Sequence, residues 1–433
     1  MTRCLLTVSE ADADAAITAA SFDEVFFWSR SARSSFTGTL SPYLESLGPV
    51  NPRNVDLVRI ALGALATDRS VLREGGGASW NTRDLELTVQ VDDPTTWSGV
   101  AGDLAILVGF LSGDRWAFTF TQAPADTVEP LPLPAVDYQR TVLLSGGADS
   151  AAGALISARQ LDEGSSQALV SQYSSTALSP IQQGLGKALG GYAPRVAQIH
   201  HQFHINRGSR RLDGSIFRDE PSTRSRSLLF LSLGLAVASC ANVPLWIAEN
   251  GFASLNPSLG ADRRGALSTH TTHPRFLRDL QALVERVGGH GHIENPFESL
   301  TKGEMFALVA EEVGTDASSA YLSATNSCSH TDARYSGAQP GSSCGVCFGC
   351  LVRRAAFAAA GIPDRTEYLC DDTTGRFTNF VQQKSIVDPM CDFAIGGIRP
   401  RDVMAMSLPA DYAATDALHL CRRGADELRS FFA

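Results

Sequence analysis

Basic residues are scarce: 36 Lys and Arg stand against 46 Asp and Glu in 433 residues, a formal charge of −10. Sequence-independent binding to nucleic acid works by neutralising phosphates, and this balance argues against a nucleic-acid partner. Long apolar runs are missing as well. The most apolar stretch, residues 228–238, is too short to span a bilayer and contains Ser232 and Gly234. Residues 1–10 lack the basic-then-apolar pattern of a secretion signal. The nine cysteines lack the spread of a secreted disulfide framework, because four of them crowd between positions 328 and 350. That crowding suits a metal site in a reducing compartment. The expected setting is cytoplasmic, with no membrane partner. Charged residues reach only 19% and apolar residues 44%, enough to fill sizeable cores and to exclude global disorder.

The length exceeds one typical domain, and the pattern changes along the chain. Leu85, Leu87, Val89 and Val91 alternate with Glu86, Thr88 and Gln90, the period of a strand. Asp93-Pro94 opens a helix with Leu104, Leu107, Val108 and Leu111 on one face, which Gly113 can end. Trp116, Phe118 and Phe120 alternate again, and Val55, Val58, Leu62 and Leu65 stripe an earlier helix. These patterns predict an α/β accessory domain over 1–121, a packing or partner-docking module. Pro124, Pro130, Pro132 and Pro134 mark 122–138 as a linker. Short apolar runs at 141–144, 168–171, 196–200, 245–248 and 320–323 read as buried strands with helices between them. The helix at 224–241 is apolar nearly all round and should be buried. The expectation for 139–325 is therefore an α/β, Rossmann-like parallel sheet that binds nucleotide. A cysteine region at 326–365 and a partly helical tail at 366–433 complete the division.

The buried run at 141–144 leads into Ser145-Gly146-Gly147-Ala148-Asp149-Ser150 and then a helix. Two glycines let backbone N–H groups turn toward an anion, and a helix N-terminus adds partial positive charge. Ser145 and Ser150 can donate to phosphate oxygens. Asp149 belongs beside phosphate only if a cation intervenes, so it is assigned to Mg²⁺. The loop is no Walker A motif, which would end in Gly-Lys-Ser/Thr. Thr301-Lys302-Gly303-Glu304 has the spacing of a capping box, placing Lys302 at a helix start where an anion would favour it.

Cys328, Cys344, Cys347 and Cys350 form C-x15-C-x2-C-x2-C. Two C-x2-C steps bring three thiolates together from one turn, and the fourth closes a tetrahedron around Zn²⁺. Four thiolates leave no open position, so the site is structural. An iron–sulfur cluster or free thiols are the rival readings. The pairs His201/His204 and His270/His273 have metal-like spacing but are read as packing or substrate contacts.

These three motifs, with Arg353-Arg354 after the cysteines, resemble 7-cyano-7-deazaguanine synthase, the QueC family of pyrophosphate-loop amidoligases, over residues 141–361. The resemblance implies ATP, Mg²⁺ and Zn²⁺ as cofactors and a deazapurine acid as small-molecule substrate. It implies adenylation of the carboxylate, with Asp149 and Lys302 as catalytic groups and Tyr173 as an ATP-facing aromatic beside Ser145, Gly146, Gly147 and Ser150. Arg224, Arg226, Asn250 and Arg263 stand where phosphate or substrate contacts belong. The family's Asp-x-Ser-Gly-Tyr-Pro-Asp-Cys-Arg substrate loop is absent, replaced by residues 249–257 and 263–274, and the N-terminal 135 or so residues are foreign to it. In both respects the chain looks like QueC-like proteins of bacterial anti-phage defence operons, the Qat system especially. That likeness implies that an amine of a protein from the same operon replaces ammonia as acceptor. The alternatives are a synthase using ammonia, a pyrophosphate-loop tRNA-modifying enzyme and a non-catalytic nucleotide-binding scaffold.

Overall fold

The computed structural model describes residues 1–73, 82–125, 137–173, 177–221, 224–257 and 270–433. Among the described residues ten strands form two sheets: β1 (Thr2–Thr7), β2 (Glu24–Phe27), β3 (Phe36–Gly38), β4 (Asp84–Val91), β5 (Arg115–Gln122), β6 (Arg140–Leu143), β7 (Ser166–Tyr173), β8 (Ala197–Arg207), β9 (Leu245–Trp246) and β10 (Ile293–Glu294). The first sheet has the order β2-β1-β4-β5 and is parallel throughout. The second has the order β10-β9-β6-β7-β8-β3. Its first five strands are parallel, and β3 closes the edge antiparallel to β8. No described helix is long and apolar enough to cross a membrane.

The second sheet is doubly wound. Strand β6 is central, with β7 and β8 running out on one side and β9 and β10 on the other. Open sheets of this kind bind ligands where the winding reverses, beyond the carboxyl ends of the two strands that flank the switch. Here that point lies after β6 and β9. Thr141 and Val142 of β6 are fully buried, as a strand covered on both faces requires.

The two sheets share one core. The helix Pro52–Ser70 lies between the first sheet and the helix Arg226–Ala241, and one apolar cluster runs from Leu85 and Leu87 through Leu57, Val58 and Leu62 to Leu228 and Leu235. The single stripe read from sequence is thus only part of the buried surface of Pro52–Ser70: Asn54, Asp56, Arg59 and Asp68 are buried too. Asp56 accepts from Arg59, from the indole of Trp97 and from the backbone of Asp92, so this inward carboxylate is paired. The helix expected after Asp93-Pro94 forms in two pieces, Pro94–Ser98 and Ala101–Ser112, and Gly113 ends it in the left-handed region.

One expected strand is a helix. Residues 320–323 belong to the helix Thr315–Ser323, packed through Tyr321 and Leu322. A short apolar run fits a buried helical turn as well as a buried strand, and period alone does not separate them. The tail carries more structure than expected, with short helices before the long one, Ala414–Phe432.

Candidate active site

A cavity of about 680 Å³ opens at the switch point. One wall is the loop after β6. Gly146 has φ +95°, a conformation that favours glycine, and Gly147 caps the helix Ala148–Gln160 without any side-chain acceptor. The loop is held by its own serines: Ser150 Oγ accepts from Ser145 N at 3.1 Å and donates to Gly147 O at 2.9 Å, while the two hydroxyls lie 3.0 Å apart. The result is a helix start whose N-cap has no side chain and whose first amide makes only a long contact, 3.4 Å, with Ser327 Oγ; it faces an open cavity, which suits an anion.

Above the loop sits a charged cluster. Thr301 caps the helix Lys302–Val313 in the predicted capping box with Glu304, and this aims Lys302 into the cavity. Its Nζ lies 3.0 Å from Asp149 Oδ2, to which Asn250 Nδ2 also donates at 3.0 Å. Asn250 is itself locked as the cap of the helix Gly251–Leu255, accepting from Ala253 N. Glu249, next in chain and lining the cavity, brings its carboxyl within hydrogen-bonding reach of Asp149. Burial pushes the Asp149 carboxyl up, but the Lys302 ammonium and the hydrogen bonds outweigh it and hold the group below its ordinary range. Glu249 goes well above its ordinary range, through burial and then through the neighbouring Asp149 charge. Asp149 Oδ1 is buried with no hydrogen-bond donor, a vacancy in its hydrogen bonding that fits an oxygen-seeking cation.

A second wall of the cavity is cationic. Arg224 and Arg226 line it beside Ser227, Phe230 and Thr271. The N-terminal unit builds this wall. Asp68 Oδ2 accepts from the backbone of Arg224 at 2.8 Å, from the backbone of Ser225 at 3.0 Å and from Ser225 Oγ at 2.8 Å. The carbonyl of Ser112 accepts from Arg224 Nη1 at 3.0 Å. The other oxygen of Asp68 belongs to a buried network with Arg73, Arg83 and Asp114. Arg226 donates a long bond, 3.3 Å, to Gln172. Protein crowds it on the cavity wall, and that desolvation lowers its pKa.

The four predicted cysteines converge, every ligand atom lying within 4.8 Å of the others. Cys344 and Cys350 sulfurs are 3.9 Å apart and those of Cys328 and Cys347 are 4.0 Å apart. A tetrahedron of zinc–sulfur bonds has edges of about 3.8 Å, so the cluster could hold a single zinc ion. The C-terminal carbonyls of Leu322 and Ser323, and that of Thr325, accept from buried Arg353. The chain between, Asn326-Ser327-Cys328, runs along the cavity wall. There Asn326 N donates to Gly146 O at 2.9 Å, and Ser327 Oγ accepts from Ala148 N at 3.4 Å. The cysteine site therefore braces the phosphate loop.

Of the residues singled out from sequence, Ser145, Gly147, Asp149, Ser150, Arg224, Arg226, Lys302 and Cys328 line one cavity, and Asn250 bonds into it. Gly146 turns the loop behind them. Tyr173 ends β7 with its ring stacked on His204, 5.0 Å between centroids, and is not among the lining residues. Arg263 lies outside the described residues. The histidine pairs are packing groups: His201 meets the Tyr138 hydroxyl at 2.6 Å, His270 stacks on Phe110, and His273 caps the helix Pro274–Arg286. Glu249 was missed, because a glutamate ahead of an N-cap asparagine carries no local signal of a distant carboxylate partner.

Residues 271–361 match the family model for the queuosine biosynthesis protein QueC. That stretch holds Lys302 and all four cysteines, while the Ser145–Ser150 loop precedes it. The 7-cyano-7-deazaguanine synthase of Ralstonia nicotianae is 29% identical over 244 residues, 52% of this chain and 97% of that protein. The synthase of Cupriavidus pinatubonensis is 28% identical over 246 residues, 52% of this chain and 96% of its own length. That of Syntrophobacter fumaroxidans is 39% identical over 154 residues, 34% of this chain and 56% of its own. About half of this chain thus spans nearly the whole of the first two relatives.

Proposed function

We propose that the protein is an ATP-dependent, AMP-forming amidoligase. In this reading it adenylates the carboxylate of a 7-deazaguanine acid or close analogue and transfers the acyl group to an amine of a partner protein in anti-phage defence. The observation that carries it is one cavity lined both by the loop at the start of the helix Ala148–Gln160 and by Arg224 and Arg226.

The chemistry asks little covalent work of the protein. A carboxylate oxygen of the substrate attacks the α-phosphorus of ATP, and the bond to the β-phosphate bridge breaks to release pyrophosphate. The amine nitrogen then attacks the acyl carbon, the bond to AMP breaks, and the nitrogen gives up a proton. The chain's part is positioning and charge stabilisation. The loop amides and serine hydroxyls would hold phosphate, Lys302 would meet the charge that develops on the pyrophosphate, and Arg226 would orient the acid. Mg²⁺ fits at Asp149 Oδ1 and would supply charge neutralisation between the phosphates. A zinc with four thiolates has no free position, so it would brace the loop and do no hydrolysis. That saturation and the net negative charge count against a tRNA-modifying role.

A protein amine needs an open approach and a docking surface. Strands β2 and β5 each have one neighbour among the described strands of the first sheet, and strand addition there would seat an extended partner segment. The test is ATP–pyrophosphate exchange with 7-carboxy-7-deazaguanine, followed by intact-mass spectrometry of the candidate partner with enzyme, ATP and Mg²⁺. Acid-dependent exchange and a mass shift on the partner are expected. Asp149→Ala should abolish exchange, by 10³-fold or about 4 kcal/mol in the barrier, while still folding, with melting lowered because Lys302 loses its buried counter-charge. An unmodified partner beside free nitrile made from ammonia would identify a synthase instead.

A further inference from the structure

We infer that Glu249 and Asp149 together form a divalent-cation site that fills before nucleotide arrives. The inference rests on reading the cavity as a nucleotide site and adds a second carboxylate to it. The two side chains come from the two strands that flank the switch point. Asp149 follows β6 in the first turn of its helix, and Glu249 follows β9. The fold therefore brings together residues that are a hundred positions apart.

Two ionised carboxylates are acceptor-only groups, and side by side they need a proton or a cation between them; without a cation Glu249 keeps the proton, its pKa well above its ordinary range. Among the described residues, Lys302 and Asn250 both serve Asp149 through Oδ2 and not Oδ1. Asp149 is only 6% exposed, and its Oδ2 receives both Lys302 Nζ and Asn250 Nδ2. Asn250 cannot turn to serve Oδ1, because its own carbonyl is fixed on Ala253 N as a helix cap. Its amide reaches Glu249 only at 3.5 Å. Lys302 neutralises one of the two negative charges. That leaves Oδ1 buried without a donor beside a second carboxylate, at the wall of a cavity open to solvent. The oxygen-only donor set, with no thiol or imidazole in it, selects a hard cation of the magnesium and manganese kind over zinc. The cation's remaining positions would be filled by water and then by phosphate oxygens.

The probe is Mn²⁺, followed by electron paramagnetic resonance on the zinc-loaded full chain without nucleotide. One Mn²⁺ per chain is expected, displaced by excess Mg²⁺. Glu249→Gln and Asp149→Asn should each weaken binding at least tenfold; Glu249→Gln should melt as the parent does, while Asp149→Asn should melt lower because Lys302 loses its counter-charge. Lys302→Met should tighten binding severalfold, because the ammonium competes with the cation for Asp149, and a merely structural role for Lys302 would not do this. Absence of Mn²⁺ binding without nucleotide, or equal binding by Glu249→Gln, overturns the inference and leaves a shared proton between the carboxyls. The acid-dependent exchange can fail with a wrongly chosen acid while Mn²⁺ binding stands, so the two readings fail separately.

Discussion

The two ends of the cavity are built in opposite ways. The phosphate end is local: six consecutive residues shape the loop, and a four-residue capping box places Lys302. The arginine end is assembled at long range, from Asp68, Phe110 and Ser112 of the N-terminal unit acting on Arg224, Ser225 and His270. The contrast gives the N-terminal unit a task that a detachable docking module would not have. It forms the wall behind the substrate end, and its core is continuous with that of the second sheet. On the proposed function, rebuilding this wall would change what is coupled to the activated acid.

The largest break in this comparison should come from the cysteine site, which braces the local end from outside. Cys347→Ser leaves three thiolates and a zinc ion with an incomplete shell. Metal binding energy at such a site is folding energy, so a loss of several kcal/mol is expected. Calorimetry should show a lowered or split transition, and elemental analysis should fall from one zinc per chain toward none. ATP binding should weaken with it, because Asn326 and Ser327 lean on the loop. Unchanged melting with intact zinc content would mean that the four sulfurs do not hold the ion.

The same contrast decides what was legible in the sequence. The loop, the capping box and the cysteine cluster were readable because each is a short pattern whose residues answer to one another within a turn or two. Four parallel strands of the doubly wound sheet were readable from alternation of buried strands and helices; the fifth was placed at 320–323, where a helical turn looked like a strand, while the two-residue β10 gave no pattern. Strand β3 closes the second sheet with Phe36–Gly38 against β8, and three residues followed by a long crossover give no period to detect. Asp68 carried no signal in the sequence, yet it is fully buried and caps a segment 156 positions away. Glu249 was passed over for the same reason. Its meaning lies in Asp149, which reaches it only through sheet topology.

Acid offers a second break, of intermediate size. His273 is fully buried, its Nδ1 accepts from Arg275 N, and its Nε2 donates to Met406 O at 2.8 Å. Burial, then the nearby His270, lowers its pKa to about 4. A histidine depressed in the folded state costs nothing above its unfolded value near 6.5 and destabilises as pH falls toward the folded value, because the unfolded chain takes the proton first. From pH 7.5 to pH 5 the loss is about 2 kcal/mol. Urea unfolding of the parent should show it, and His273→Asn, which keeps a capping side chain, should lose that slope. His200, bonded to Ser171 and also lowered to about 4 by burial, adds a slope of the same sign from the second sheet. If the His200→Asn variant alone flattens the acid response, the segment at 270–273 is looser than its hydrogen bonds indicate.

The smallest effect sharpens the comparison most. Phe110 ends the helix Ala101–Ser112 with its ring 4.4 Å from that of His270, while Arg275 lies over it at 5.1 Å and its carbonyl meets His270 Nδ1 at 3.2 Å. The residue after His270 is Thr271, which lines the cavity near Arg224 and Arg226. Phe110→Ala removes the ring and keeps the carbonyl, so the segment loses its stacking partner but not its hydrogen bond. Stability should fall by about 1–2 kcal/mol, since the ring is only half-buried. A general loosening would weaken both ends of the cavity alike. If the N-terminal unit is the wall of the substrate end alone, KM for the acid should rise severalfold while ATP binding and kcat stay within about twofold, because this ring touches nothing on the loop side. Equal losses for acid and ATP would make the two ends one cooperative unit and dissolve the distinction.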